Sequence, residues 1–371
     1  MADRWGRFAT VPLVADEEGG SVADIIVSAV ERRPQRFKTV LQCRGKPVIA
    51  TTVKMYGDLM VFAGTANTEL AVAVANHLQV QLGGRDVKRF PNSNTFVRLH
   101  QSVRGKDVFL IQPTSAPVNE NLMELLIFID TLRRDSAGRV TAVVPYYGYG
   151  RTDKKDQPRV PITARLVADL IAVAGADRFV TLDLHAKQIQ GFFSIPSDEI
   201  PALGLFIEHF KAHPIPNAVV LAPDIGALRR ARNFAERLDL PLAVIEKRRS
   251  PDGKRTEVFN LIGDVAGKNV IIVDDEIDTA GTLTRAAGFV KQEGALDIVA
   301  CATHPVLSED AADTLRESVL REVVVCDTVH IPKEKSGRCG DKLKVIPVAA
   351  LLADVIQRIH EGRSVGELFD E

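Results

Sequence analysis

The chain has 371 residues, 46% of them hydrophobic and 26% charged, with a formal net charge of −1. That length exceeds one typical core, so two domains of ordinary size are expected in a globular, soluble protein. A charge so close to zero gives no basic field for nucleic acid or an anionic membrane. No apolar run approaches the roughly 18–20 residues of a membrane span, so neither partner is expected. Residues 1–57 mix Arg4, Arg7, Arg32 and Arg33 with Asp16, Glu17 and Glu18. They have neither the apolar core of a signal peptide nor the acid-poor character of a transit peptide, and read as an extension of unassigned role.

From residue 58 onward short apolar strands alternate with helical segments, the pattern of an α/β fold with parallel sheets. A strand over 58–64 runs into a helix over 67–81. A second strand, 107–112, leads through a loop to a helix over 119–134, then to a strand at 140–145. The strand beginning at Phe179 ends near His185. The strand at 218–223 ends in Asp224, before a helix over 225–238, and a strand from Ala243 ends at Lys247. Residues 248–255 are polar and contain Gly and Pro, so they read as a mobile loop. Next come four β-branched apolar residues, Val270 to Val273, which suit a strand buried on both faces and ending in the paired carboxylates Asp274 and Asp275. Asp278, Thr279, Ala280, Gly281 and Thr282 follow, just before the helical pattern of Leu283, Ala286, Ala287 and Val290. A strand at 298–303 and a terminal helix over about 348–360 complete the order. Cys43, Cys301, Cys326 and Cys339 form no CxxC pair and are too sparse for a disulfide framework, which fits a reducing cytosol.

Strand, small-residue loop and helix N-terminus together suit a phosphate, because free backbone N–H groups and the positive helix end face the anion. The two carboxylates would repel that phosphate. They suit neutral hydroxyls, such as those of a ribose, or a metal ion. The bland alternative is an ordinary strand end with an Asp N-cap. The chain also shows one plan twice: 58–145 and 218–303 share the order strand, helix, strand, loop, helix, strand, as a duplication would. At the critical loop the halves differ, since the first reads Gln-Pro-Thr-Ser-Ala-Pro-Val over 112–118. His185, Asp224 and Lys247 lie at carboxyl ends of strands, where ligands of open parallel sheets sit. Asp224 could instead be an N-cap, and His185 a hydrogen-bonded core histidine.

The 270–283 segment resembles the phosphoribosyl-diphosphate binding motif of the type I phosphoribosyltransferase superfamily. Over residues 58–370 the chain more narrowly resembles the ribose-phosphate pyrophosphokinase family. The resemblance is carried by the segments starting at Asn121, Leu132, Pro145 and Arg159, by Asp183-Leu-His-Ala-Lys-Gln-Ile-Gln-Gly-Phe-Phe, by Pro223-Asp-Ile-Gly, by Lys247-Arg-Arg, by Ile262-Gly-Asp-Val-Ala-Gly-Lys, by the acidic loop and by Val324-Val-Cys-Asp-Thr. It implies two tandem phosphoribosyltransferase-like domains, each a parallel sheet flanked by helices. Residues 58–203 would form the first and 204–350 the second, with a C-terminal helix and tail over 351–371. The implied reaction moves an intact diphosphate from ATP to the 1-hydroxyl of ribose 5-phosphate, giving phosphoribosyl diphosphate and AMP for nucleotide biosynthesis.

The resemblance also distributes roles. The 5-phosphate sits on Asp278, Thr279, Ala280, Gly281 and Thr282, while Asp274 and Asp275 hold the ribose hydroxyls. Lys247 and Arg249 match the catalytic pair. Phe90, Arg151 and His185 match ATP contacts, and His185 with Asp224 matches the magnesium positions. A cytoplasmic homo-oligomer, a hexamer built from dimers, is implied. Two departures lie on the ATP side. Phe90-Pro91-Asn92-Ser93-Asn94 stands where the family usually has Phe-Ser-Asp-Gly-Glu, in a loop reaching a neighbouring subunit's ATP, and Thr152 replaces a Gln. Two other readings stay open: a non-catalytic regulatory paralogue, and a phosphoribosyltransferase that consumes phosphoribosyl diphosphate.

Overall fold

Apolar runs become parallel strands here because most are followed by a helix that returns the chain to the same end of the sheet. The computed structural model describes residues 56–249 and 257–368, plus short strand pieces within 36–54; the side chains of 247–249 and 257–259 lie outside it. Of the N-terminal extension, Arg36–Lys38 pairs antiparallel with Thr52–Lys54, and Gln42–Cys43 with Lys46–Pro47.

The first half runs β1 (Leu59–Ala63), α1 (Thr68–His77), β2 (Arg85–Arg89), β3 (Thr95–Leu99), β4 (Asp107–Ile111), α2 (Val118–Arg134), β5 (Arg139–Val144), α3 (Thr163–Ala174), β6 (Arg178–Leu182) and β7 (Ser197–Ile200). The helix α4 (Leu203–Ala212) leads into the second half. That half runs β8 (Ala218–Ala222), α5 (Leu228–Leu238), β9 (Leu242–Arg249), β10 (Glu257–Ile262), β11 (Asn269–Ile277), α6 (Gly281–Gln292), β12 (Ile298–Pro305), α7 (Ala311–Glu317), β13 (Glu322–Cys326), α8 (Lys333–Cys339), β14 (Leu343–Ile346) and α9 (Ala349–Glu361).

Five strands form the first sheet, in the order β7-β6-β5-β4-β1, all parallel. Seven form the second, β10-β9-β8-β11-β12-β13-β14, of which only β10 is antiparallel. Strand for strand, β1-β4-β5-β6-β7 matches β8-β11-β12-β13-β14, so the duplication read from the sequence is present in the topology. The halves part at the hairpin. β9 and β10 extend the second sheet, whereas β2 and β3 form a separate antiparallel ribbon. A single bridge between Val61 and Leu82 marks where the first half begins the same pairing, equivalent to Val220 with Leu242.

β4, β5, β8 and β12 are buried along their whole length, as expected when helices cover both faces. One core joins the halves: Phe109 and Val143 of the first sheet and Val220 and Ile271 of the second share it with Phe206 of α4, Phe234 of α5 and Ile356 of α9. The outer faces have separate cores under α2 and α3, and under α6 and α7. The last turn of α9 is pinned to the first sheet by a buried cluster. Asp107 accepts from Arg139 Nε at 2.7 Å and from His360 Nδ1 at 2.7 Å, and Arg139 also donates to the Ile359 carbonyl at 3.1 Å.

Several boundaries differ from the sequence reading: β6 ends at Leu182 rather than near His185, and β9 runs to Arg249 rather than Lys247. β11 does not end at the paired carboxylates but continues to Ile277, because β12 reaches Pro305 and pairs Glu276 with His304 and Ile277 with Pro305. α5 starts at Leu228 rather than Ile225, since Asp224 Oδ1 accepts the Ala227 N–H at 3.0 Å and holds a non-helical turn. α1 stops at His77, where the chain turns at Gln79 with φ of 56°. The run expected to be a mobile loop, 248–255, lies largely outside the described residues.

Candidate active site between the two sheets

A cavity of about 170 Å³ opens where β11 meets α6. Residues 274–283 line it on one side, with Asp224 from the end of β8, while Arg151 and His185 reach it from the first half. The loop 278–280 is shaped for an anion. Ala280 takes a left-handed conformation (φ 62°), which turns the chain sharply into α6, and no side chain caps that helix. Its first-turn N–H groups are therefore the local donors for a phosphate.

The carboxylates above this loop are unequal. Asp275 is buried and accepts from His185 Nδ1 at 2.7 Å and pairs with Arg230 at 3.3 Å. Burial would raise its pKa, but the bond from His185 and the Arg230 charge together hold it below the usual carboxylate range. Asp274 is pushed well up, by burial first and by the neighbouring Asp275 charge second. The His185 imidazole is pulled up by its bond to Asp275. One fixed anion thus lies beside a carboxyl that resists ionising, a pair suited to hydroxyl groups more than to phosphate.

Arg151 crosses from the first half to Asp278 at 3.1 Å and Glu276 at 3.3 Å. Glu276 also accepts from the Tyr146 hydroxyl at 3.3 Å, and burial pushes its carboxyl up. The structure therefore brings together Arg151, His185, Asp224, Asp274, Asp275 and residues 278–282. Phe90 is not among the lining residues. It sits half-exposed near the tip of the β2–β3 ribbon, its ring 5.9 Å from that of Phe96. Lys247 and Arg249 lie on β9, but their side chains fall outside the described residues.

Sequence reasoning missed two charged residues of the site. Glu276 was readable as the third acid of the run. Arg230 gave only the weak signal of two arginines in the first turn of a helix that follows Asp224. Asp153, in the charged run 153–156, is buried and accepts from Gln188 at 2.7 Å. In the first half Glu124 of α2 accepts from Thr65 N at 2.7 Å and from Gln112 Nε2 at 3.2 Å, and Gln112 accepts from Ala66 N at 3.0 Å. Nothing local in the sequence signalled these contacts.

His185 and Asp224 face one cavity, but among the described residues no group of three or more His, Cys, Asp or Glu side chains forms a metal cage. This donor set fits magnesium, which keeps several waters and takes few protein ligands.

The family model for the N-terminal domain of ribose phosphate pyrophosphokinase matches residues 59–175, and that for the phosphoribosyl synthetase-associated domain matches residues 251–370. A ribose-phosphate pyrophosphokinase of Caldanaerobacter subterraneus subsp. tengcongensis is 52% identical over 313 residues, covering 84% of this chain and 98% of that protein. One from Fusobacterium nucleatum subsp. nucleatum is 46% identical over 317 residues, covering 85% and 99%. The crystal structure of phosphoribosylpyrophosphate synthetase from Mycobacterium smegmatis superposes with a TM-score of 0.78 at 44% identity, covering 82% of this chain and 99% of that one. The duplicated sheets and these relatives agree: the chain belongs to the ribose-phosphate pyrophosphokinase family.

Proposed function

We propose that this chain is a ribose-phosphate diphosphokinase, transferring diphosphate from ATP to the 1-hydroxyl of ribose 5-phosphate and releasing AMP. The observation that carries this reading is the pairing, in one cavity, of an uncapped α6 loop with the carboxylates Asp274 and Asp275, faced by His185 and Arg151 from the other half. The loop 278–282 takes the 5-phosphate. Asp274 and Asp275 take the ribose 2- and 3-hydroxyls, which aims the 1-hydroxyl toward the first half.

Phosphoryl-type transfer depends on positioning and on neutralising charge on the transferred and leaving oxygens. Lys247 and Arg249, on the strand that borders β8, supply cations for that task. Arg151 leaves its ion pairs with Asp278 and Glu276 to meet ATP phosphates. His185 and Asp224 would hold magnesium, which would supply neutralisation of phosphate charge when bound. His185 keeps Nδ1 on Asp275 and so has only Nε2 for this role. Phe90 serves the ATP of a neighbouring copy in a homo-oligomer, hexameric by family resemblance; the exposed Phe90 and Phe96 rings at the ribbon tip support such a contact.

We divide the chain at 203/204 and 350/351, in keeping with sheet membership, and leave residues 1–57 as an extension. A cytoplasmic location fits the free thiols Cys301, Cys326 and Cys339. Among the described residues no helix is long and apolar enough to cross a membrane. Incubation with ribose 5-phosphate, ATP and magnesium tests the reading. AMP with phosphoribosyl diphosphate supports it, ADP indicates ordinary kinase chemistry, and no reaction favours a regulatory paralogue.

A further inference from the structure

We propose that Thr303 and His304, at the carboxyl end of β12, are positioning residues that set His185 in the active site by holding the turn at Asp183. The inference rests on the diphosphokinase reading for its kinetic readout but not for its geometry. Asp183 lies two residues before His185 and takes a positive φ of 26°, a conformation that a non-glycine residue keeps only when its surroundings impose it.

Two of the groups that impose it come from the second half. Thr303 Oγ1 donates to Asp183 Oδ2 at 2.6 Å, and His304 Nε2–H donates to the Asp183 carbonyl at 2.9 Å. The same carboxylate oxygen takes the Ala202 N–H at 3.0 Å, and the Asp183 N–H reaches Ile200 O at 3.1 Å. The next residue is fixed as well, since Leu184 N donates to Glu199 Oε1 at 3.1 Å. The Asp183 N–H and carbonyl and the Leu184 N–H are therefore all tied.

His304 suits this task because it is buried and a carbonyl only accepts, so Nε2 carries the proton. Its Nδ1 lies 2.9 Å from the Thr328 hydroxyl, which also reaches the Thr303 carbonyl at 3.0 Å. Burial favours the neutral imidazole by lowering its pKa. The edge of the Tyr146 ring packs on it, with centroids 5.1 Å apart.

The contacts close a circuit. β11 and β12 pair with Asp274 opposite Ala302 and Glu276 opposite His304, which sets Asp275 level with Thr303. Asp275 accepts from His185, and Thr303 holds Asp183. The strand carrying the clamp is thus the neighbour of the strand carrying the sugar carboxylates. A shift of one relative to the other moves His185 off Asp275, so the two halves are held in register at the site itself.

The test uses the full chain. Thr303→Val removes the hydroxyl at constant shape, and Thr303→Ser restores it. Misplacing His185 by a fraction of an ångström to an ångström predicts a loss of roughly 10- to 100-fold in kcat with KM for ribose 5-phosphate nearly unchanged. In a His185→Ala background the same substitution should cost less than about 2-fold, because the group it positions is gone. Independently of activity, the low-field Nδ1–H proton resonance of His185, assigned by its loss in His185→Ala, should shift or broaden in Thr303→Val and return in Thr303→Ser. An unchanged resonance in Thr303→Val, or an equal kcat loss in both backgrounds, overturns the inference. Failure of the wild-type chain to make AMP would instead overturn the diphosphokinase reading and leave the resonance test standing.

Discussion

Asp107→Asn is the perturbation whose cost follows most directly from the structure. The carboxylate is fully buried, and Arg139, its partner, is only 6% exposed. Asparagine preserves the shape but removes the charge. The guanidinium then keeps at most one bond to the amide oxygen, its bond to Ile359 O and its stacking over the Tyr56 ring at 4.3 Å, but loses the compensating charge. Removing one member of a buried ion pair costs about 3–5 kcal/mol, because the other charge stays buried without compensation. Two of the cluster's groups, Ile359 O and His360, belong to the last turn of α9, so the loss should appear first as opening of that helix.

Amide hydrogen exchange reads this directly. Protection over α9 should fall by roughly 10²- to 10³-fold, while α6, which shares no contact with the cluster, keeps its protection. His360→Ala removes one bond and leaves the Arg139–Asp107 pair, so its cost is about 1–2 kcal/mol and its effect about 10-fold. Neither change should alter kcat, since the cluster lies at the amino ends of β4 and β5 and the cavity at the carboxyl ends of the strands. Unchanged α9 protection in Asp107→Asn, or a uniform loss through every element, would refute this account of how α9 is docked.

The remaining predictions concern the site. Lys247→Ala should lower turnover by roughly 10²-fold or more while calorimetric ribose 5-phosphate binding survives; unchanged turnover removes Lys247 from the mechanism. Ala280→Gly should leave KM for ribose 5-phosphate unchanged and stabilise the chain by under about 1 kcal/mol, because relief of the left-handed strain outweighs the added backbone entropy. Ala280→Val should instead raise that KM, as steady-state kinetics would show. For His304 the folded pKa is lowered, so the unfolded chain binds the proton first and stability falls as pH drops below the unfolded value of about 6.5. Between about pH 7.5 and pH 5.5 this one group removes up to about 1.3 kcal/mol, and denaturation of His304→Gln beside the wild type should show a correspondingly flatter slope.

Much of the architecture was legible because it rests on local patterns. Val270 to Val273 announce a doubly buried strand, and the repeated order of strands and helices announces the duplication. The turn into α6 was legible for the same reason, since its small residues are consecutive. What was hidden depends on neighbours far along the chain. β11 extends to Ile277 only because β12 beside it does. Arg230 becomes a partner of Asp275 only when α5 lies against the end of β11. Glu124 meets Thr65 across 59 residues of sequence. Asp224 is not the N-cap of α5, which is Ala227; it holds the turn before that helix and lines the cavity. His185 is likewise both hydrogen-bonded and in the site.

Transfer of an intact diphosphate is the central claim, and the position of a label tests it most directly. ATP radiolabelled at its β-phosphorus should be incubated with the chain, ribose 5-phosphate and magnesium, and the products separated. The account predicts the label in phosphoribosyl diphosphate and unlabelled AMP. Label retained in ADP would show transfer of a single phosphoryl group and contradict it.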